Sequence, residues 1–169
     1  MTPIIREARP ADAAQIIAYL RRIFAEPGIN LITEVDEFTP TIETEARIIA
    51  DMGRQPNCLF LVAEYDGQIV GQLTLDGGKR RNVRHAATLG ITVAQAWRGR
   101  GVGRRLIEWA IDWARDAGTL SRIELHVFAR NTRAIALYES CGFEYEGTRR
   151  RAVHRSGEYI DDLVMALLL

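Results

Sequence analysis

Between residues 87 and 117 the chain runs from an alternating strand pattern through a glycine-rich turn directly into an amphipathic helix. Leu89, Ile91 and Val93 alternate with Thr88, Gly90 and Thr92, a strand with two distinct faces. Then comes Arg98-Gly99-Arg100-Gly101-Val102-Gly103. From Val102 onward Leu106, Trp109, Ala110, Trp113 and Ala117 mark one helical face, Arg105, Glu108, Asp112 and Asp116 the other, and Gly118 can end the helix. Ile123, Leu125 and Val127 form the next strand. This is a βαβ unit, so its strands lie parallel with a right-handed crossover.

The first turn of a helix carries backbone N–H groups with no internal partner and about half a positive charge. An anion, typically a phosphate, is its natural ligand. Glycines let the backbone approach phosphate oxygens, and Arg98, Arg100 and Arg104 add charge nearby. What is missing narrows the ligand. A nucleotide P-loop requires Lys-Ser or Lys-Thr, and neither pair occurs. A dinucleotide fingerprint starting at Gly101 would need glycine at Leu106, and one starting at Gly99 would need it at Arg104.

The remaining elements are legible from periodicity and turn chemistry. Ile4 and Ile5 begin a short strand. Ala13, Ile16, Ile17, Leu20 and Phe24 recur at helical spacing, with Asp12 at or near the N-cap. Residues 26–40 form an acidic loop, and a second helix runs from about Thr41 to Met52, ended by Gly53. Leu59 to Tyr65 and Gln68 to Leu75 are strands joined by an Asp66-Gly67 hairpin turn. Asn131 opens a short helix ending at Gly142, and two strands joined at Ser156-Gly157 complete the chain. Helices therefore cover both sides of a mixed sheet.

Composition bounds the partners. At 169 residues there is room for a single domain, 1–169, and 47% hydrophobic with 26% charged residues excludes disorder. Lys and Arg total 22, as do Asp and Glu, so no global field draws the chain to nucleic acid or membrane, and any polyanion is held locally. The basic runs Lys79 to Arg81 and Arg149 to Arg151 come with no base-reading motif. Cys58 and Cys141, far apart and without CxxC spacing, indicate neither disulfide nor metal and suit a reducing cytoplasm. No leader pattern or apolar run of roughly 18 residues is present.

Arg98, Gly101 and Gly103 fit (Arg or Gln)-x-x-Gly-x-(Gly or Ala), which resembles the acetyl-CoA pyrophosphate loop of the GNAT superfamily of N-acetyltransferases. The segment Asn131-Thr132-Arg133-Ala134-Ile135-Ala136-Leu137-Tyr138-Glu139-Ser140-Cys141-Gly142-Phe143 is similar to that family's N-x-x-A-x-x-x-Y-x-x-x-G-F block, and the element order matches over nearly the whole chain. The resemblance implies an α/β (α+β) fold with a mixed, mostly antiparallel sheet of six to seven strands, a central parallel pair and helices on both faces. It implies acetyl-CoA as co-substrate, with no metal. The pantetheine would lie along Ile91, Thr92 and Val93, the pyrophosphate on Arg98, Gly99, Arg100, Gly101, Val102, Gly103 and Arg104, and Asn131 would contact the cofactor as well as capping its helix. A backbone N–H near Val93 would face the developing oxyanion.

Tyr138 would be the general acid that protonates the departing thiolate. Reference pKa values near 10 and 8.5 make that transfer uphill by about 2 kcal/mol in water. Spacing alone, on the face with Ala134 and Cys141, favours Tyr138 as a core aromatic, and it is the resemblance that favours the acid. The base is where this chain departs from the family pattern, because the strand before the loop carries no acid, whereas some members have a glutamate there. An amine with a pKa near 10 is only about one part in a thousand neutral at pH 7, so its proton needs a route. Glu124 and His126, sharing a strand face, or Glu34, Asp36 and Glu37 in the loop are the candidates. The loop acids, with Tyr159, Asp161 and Asp162, are also candidates for shaping the acceptor site, and their acidity suits a cationic amine. The C-terminal pattern resembles members that acetylate amino acids and other small amines. Protein N-terminal acetyltransferases and a CoA-binding module without chemistry are the alternatives. A covalent route through Cys141 is not expected, since no histidine lies near it in sequence. A homodimer is among the forms the superfamily takes.

Overall fold

Asp66 and Gly67 take φ of 50° and 71°, the doubly positive pair that matches the twist of a tight hairpin. They join β2 (Leu59–Tyr65) to β3 (Gln68–Gly77) in a computed structural model that describes residues 2–169. Around this hairpin stand β1 (Ile4–Glu7), β4 (Ala86–Val93), β5 (Arg122–Phe128), β6 (Glu144–Arg155) and β7 (Glu158–Leu168). The helices are α1 (Ala13–Phe24), α2 (Ile42–Gly53), α3 (Val102–Ala117) and α4 (Thr132–Ser140). The seven strands form one sheet in the order β1-β2-β3-β4-β5-β7-β6, antiparallel except for β4 and β5. This is the mixed sheet with a central parallel pair that the sequence implies.

Alternation along β2 explains the layers. Leu59, Leu61 and Ala63 pack with Leu106, Ile107 and Ala110 of α3, while Phe60 and Val62 pack with Ile16 and Tyr19 of α1 and Ile49 of α2. Side-chain oxygens cap two helices: Thr41 accepts the Thr44 N–H at 3.1 Å and Asn131 the Ala134 N–H at 3.3 Å. Gly118 closes α3 in the left-handed conformation, φ 63°. Asp12 stands at the N-cap of α1 as expected, but its side chain makes no capping bond to that helix. It ends a 3₁₀ turn at Pro10–Asp12, and its carboxylate receives the Arg9 N–H at 2.7 Å and the Arg6 guanidinium at 2.7 and 2.9 Å. No helix among the described residues is long and apolar enough to cross a membrane.

The parallel pair is short, and this positions the site. β4 pairs with β3 from Ala87 to Val93 and β5 pairs with β7 from Arg122 to Phe128. Between β4 and β5 the register covers only Ala86–Arg122, Ala87–Ile123 and Thr88–Glu124. Beyond Thr88 the two strands part. The Ala94 N–H donates to the Val70 carbonyl at 2.9 Å, and the β3–β4 register is unbroken, so residues 88, 90 and 92 turn their peptide groups toward β3. Leu89, Ile91 and Val93 turn theirs into the gap.

Candidate active site

The parted strands open a cleft of about 890 Å³. Leu89 to Val93, the glycine turn, Asn131, Arg133, Ala134, Leu137 and Tyr138 line one part. The loop from Glu26 to Thr33, with Gln72, Thr74, His126, Phe128 and Asp162, lines the other.

At the glycine turn, Gly99 and Gly101 have φ of 77° and 79°, a region that L side chains rarely enter. The Arg105 N–H donates to the Gly101 carbonyl at 3.1 Å, which leaves the N–H groups of Val102, Gly103 and Arg104 without a partner in the helix. A Cβ on Gly103 would sit 3.1 Å from Leu137 Cδ2, so the first turn of α3 lies hard against α4. The geometry is that of an anion site built from backbone.

The arginines of this turn are largely committed elsewhere. Arg98 donates from Nε to the Val93 carbonyl at 2.8 Å and from Nη2 to Glu26 at 2.5 Å. Arg104 donates to the Ser140 hydroxyl at 2.8 Å and lies 3.7 Å from Glu108. Arg100 stacks over the Trp97 ring at 5.6 Å, outside the cleft lining, and Val102 points into the core with 1% exposure. The cation that faces the turn is Arg133, whose Nη2 lies 3.0 Å from where a Gly99 Cβ would stand. No other described residue pairs with it. Arg133 lies inside the Asn131 block, two residues past the helix cap, at a position the motif leaves unspecified.

Tyr138 lines the cleft with 7% exposure, its ring 5.9 Å from that of Phe143. Burial pushes its pKa up to about 12, with a smaller push from Cys141. It therefore keeps its proton at any working pH, and no other described residue hydrogen-bonds its hydroxyl. Burial penalises a thiolate formed in the same place for the same reason, so the proton affinities of the two groups rise together. Thr92 accepts a hydrogen bond from the Tyr19 hydroxyl at 3.0 Å, and burial raises the Tyr19 pKa.

The acceptor side differs from the sequence expectation. Glu34 is paired with Arg155 at 2.8 Å, Glu37 accepts the Glu34 N–H at 3.0 Å, and neither they nor Asp36 line the cleft. Glu124 belongs to a surface cluster with Arg122 and Glu146, at 3.0 and 2.6 Å from the shared guanidinium. Tyr159, 63% exposed, stacks on His154 and under Arg151, and Asp161 accepts the Arg151 N–H at 2.8 Å. Five of these six residues are engaged outside the cleft, by an arginine, an aromatic ring or a backbone N–H, and Asp36 lies outside the lining as well. His126 and Asp162 do line it. His126 Nδ1 lies 3.1 Å from the Asp162 carboxylate, which is 2% exposed, and Arg149 lies 2.8 Å from the same nitrogen and 3.2 Å from the carboxylate. Protonated Nδ1 donates to Asp162; bare Nδ1 accepts from Arg149.

Two faces meet at the gap. Leu73, Leu125, Met165 and Tyr138 belong to the α3 side of the sheet. Alternation puts Gln72, Thr74, Thr92, His126 and Asp162 on the opposite side, with α1 and the loop. No group of three or more His, Cys, Asp or Glu suited to a metal ion occurs among the described residues.

Comparison with known proteins agrees with this geometry. The model of the acetyltransferase (GNAT) family matches residues 18–143. The L-amino acid N-acetyltransferase AaaT of Escherichia coli K12 is 37% identical over 96% of each chain. The crystal structure of a GNAT-family acetyltransferase from Streptococcus pneumoniae superposes with a TM-score of 0.94 at 32% identity, covering 98% of both chains. A putative acetyltransferase from Salmonella typhimurium, solved with its cofactor acetyl-CoA, shares the fold at a TM-score of 0.86 and 22% identity, covering 100% of this chain and 95% of that one. The strand gap, the glycine turn and the two sequence blocks are thus those of an N-acetyltransferase, and the chain belongs to the GNAT family.

Proposed function

We propose that the enzyme transfers an acetyl group from acetyl-CoA directly to the primary amine of a small molecule such as an L-amino acid. The observation that carries this reading is the gap beyond Thr88, which joins a buried tyrosine on one face to a histidine–aspartate pair on the other. The residues fit the donor: free N–H groups at Val102, Gly103 and Arg104, with Arg133 beside them, suit a pyrophosphate, and the edge at Leu89, Ile91 and Val93 suits an amide-bearing arm. Acetyl-CoA, when bound, supplies the thioester carbonyl.

The chain's own groups do the rest. The Val93 N–H faces the gap and meets negative charge developing on the carbonyl oxygen, while Arg98 fixes the following peptide by its carbonyl. His126, held by Asp162, takes the proton of the attacking amine. Tyr138 gives its proton to the leaving thiolate, so one proton is taken up and one is released in each turnover. Leu20, Ile23, Phe24, Ile29 and Leu31 make the acceptor wall apolar, and its acids Glu26 and Asp162 are matched by Arg98 and Arg149. That environment suits an acceptor with one basic nitrogen and an apolar body better than a polyamine, which would find no unpaired carboxylate there.

The test is acetyl transfer with mass detection across L-amino acids, polyamines and peptides. Acetylation of L-amino acids above the other classes is expected. Preferential acetylation of peptide N-termini would overturn the substrate class, and CoA binding without turnover of any amine would overturn the reaction. The cysteine usage supports a cytoplasmic enzyme, and light scattering in solution decides between monomer and homodimer.

A further inference from the structure

Among the described residues one side-chain polar atom is buried without a hydrogen-bond partner, the Oε1 of Gln72. Gln72 lies in β3, opposite Thr92 of β4 on one side and Val62 of β2 on the other. Its neighbours Leu73 and Leu75 turn to the α3 core. Gln72 and Thr74 turn the other way, into the wall of the cleft. Burying an amide oxygen with no partner is unfavourable, a cost that a methionine of the same length would avoid. No described residue is hydrogen-bonded to the Oε1 of this amide. Its terminal torsion is soft and roughly two-fold, so carbonyl and NH₂ exchange places by rotation and a bound molecule sets which end it meets.

The acceptor of the reaction proposed above brings what this amide lacks, an N–H donor. Gln72 shares the sheet face of Thr92, whose own hydroxyl already receives the Tyr19 proton, and of His126, whose Nδ1 is taken by Asp162 or Arg149. We infer that Gln72 is an acceptor-positioning residue, its amide carbonyl receiving one N–H of the substrate amine and thereby aiming the nitrogen lone pair at the strand gap. This rests on the N-acetyltransferase reading of the cleft. Gln72 titrates nothing and forms no bond in the reaction. It contributes orientation.

Steady-state kinetics on the full chain with Gln72→Met and Gln72→Glu test it, using the best amine found for the wild type. In Gln72→Met the amine KM rises about five- to tenfold, the worth of one hydrogen bond, while the acetyl-CoA KM stays within twofold and the melting temperature does not fall. Gln72→Glu keeps an acceptor oxygen and adds charge. Its amine KM stays near the wild-type value, and the acid limb of its kcat profile moves to higher pH, because a carboxylate holds the ammonium form. An unchanged amine KM in Gln72→Met refutes the assignment, as does an equal rise for acetyl-CoA or an unmoved pH limb in Gln72→Glu. If the wild type neither binds nor acetylates any amine, the enzymatic reading itself falls with it, an outcome distinct from an active wild type whose Gln72 variants behave normally.

Discussion

Arg98 heads the glycine motif, yet its guanidinium ties the acceptor loop to β4, which makes Arg98→Gln informative. The substitution removes two charge-assisted contacts, to the Val93 carbonyl at 2.8 Å and to Glu26 at 2.5 Å. The side chains of Arg98 and Glu26 are 29% and 18% exposed, enough burial to limit screening and enough water to soften the loss. One such contact is worth about 1.5–3 kcal/mol, and the Glu26 carboxylate left behind can partly rehydrate. The expected net loss is about 2 kcal/mol, or roughly 4–8 °C in melting temperature for a domain of this size. Urea denaturation and calorimetric CoA titration read the two quantities separately. Stability should fall while CoA affinity stays within about threefold. A cycle with Glu26→Gln should return a coupling of about 1–2 kcal/mol. Unchanged stability with CoA affinity reduced tenfold or more would refute the reasoning and make the guanidinium a phosphate ligand.

Two further predictions follow from pairings. Arg133→Gln should weaken CoA binding about tenfold and flatten its salt dependence, with no change in the unliganded melting temperature, because no described residue pairs with Arg133; isothermal titration at two salt concentrations checks this. Asp12→Asn should lose about 1–2 kcal/mol at pH 7, since the Arg6 hydrogen bond lowers the Asp12 pKa in the fold. That stabilisation is present above the unfolded carboxyl value near 4 and disappears as pH falls through the lower folded value, so the gap between wild type and variant in urea melts should narrow steadily as pH falls below the unfolded value. An equal gap at every pH would contradict it.

What the sequence made legible was local. The Asp66-Gly67 turn, the Asn131 cap and the αL glycine at 118 each depend on residues within a few positions of one another, the βαβ unit on periodicity within each of its elements, and each stands where periodicity and turn chemistry put it. The acceptor side was not legible because it is set by pairings across the fold. Arg98 reaches Glu26 across 72 residues and Arg155 reaches Glu34 across 121, and no spacing rule announces either. Glu34 and Asp162, which looked available for a cationic substrate, are therefore already matched by Arg155 and Arg149. Gln72 carried a faint signal, a polar residue within a largely buried strand. Only the register of β3 against β4 shows that it faces the cleft.

The central claim is direct transfer across the strand gap with Tyr138 as the acid, and Tyr138→Phe tests it most directly. The hydroxyl has no partner among the described residues, so its removal should leave stability within about 0.5 kcal/mol and acetyl-CoA binding unchanged. Single-turnover acetyl transfer should slow by about 10²-fold or more, the range of a lost general acid. A rate equal to that of the wild type, with acetyl-CoA still bound, would contradict the account.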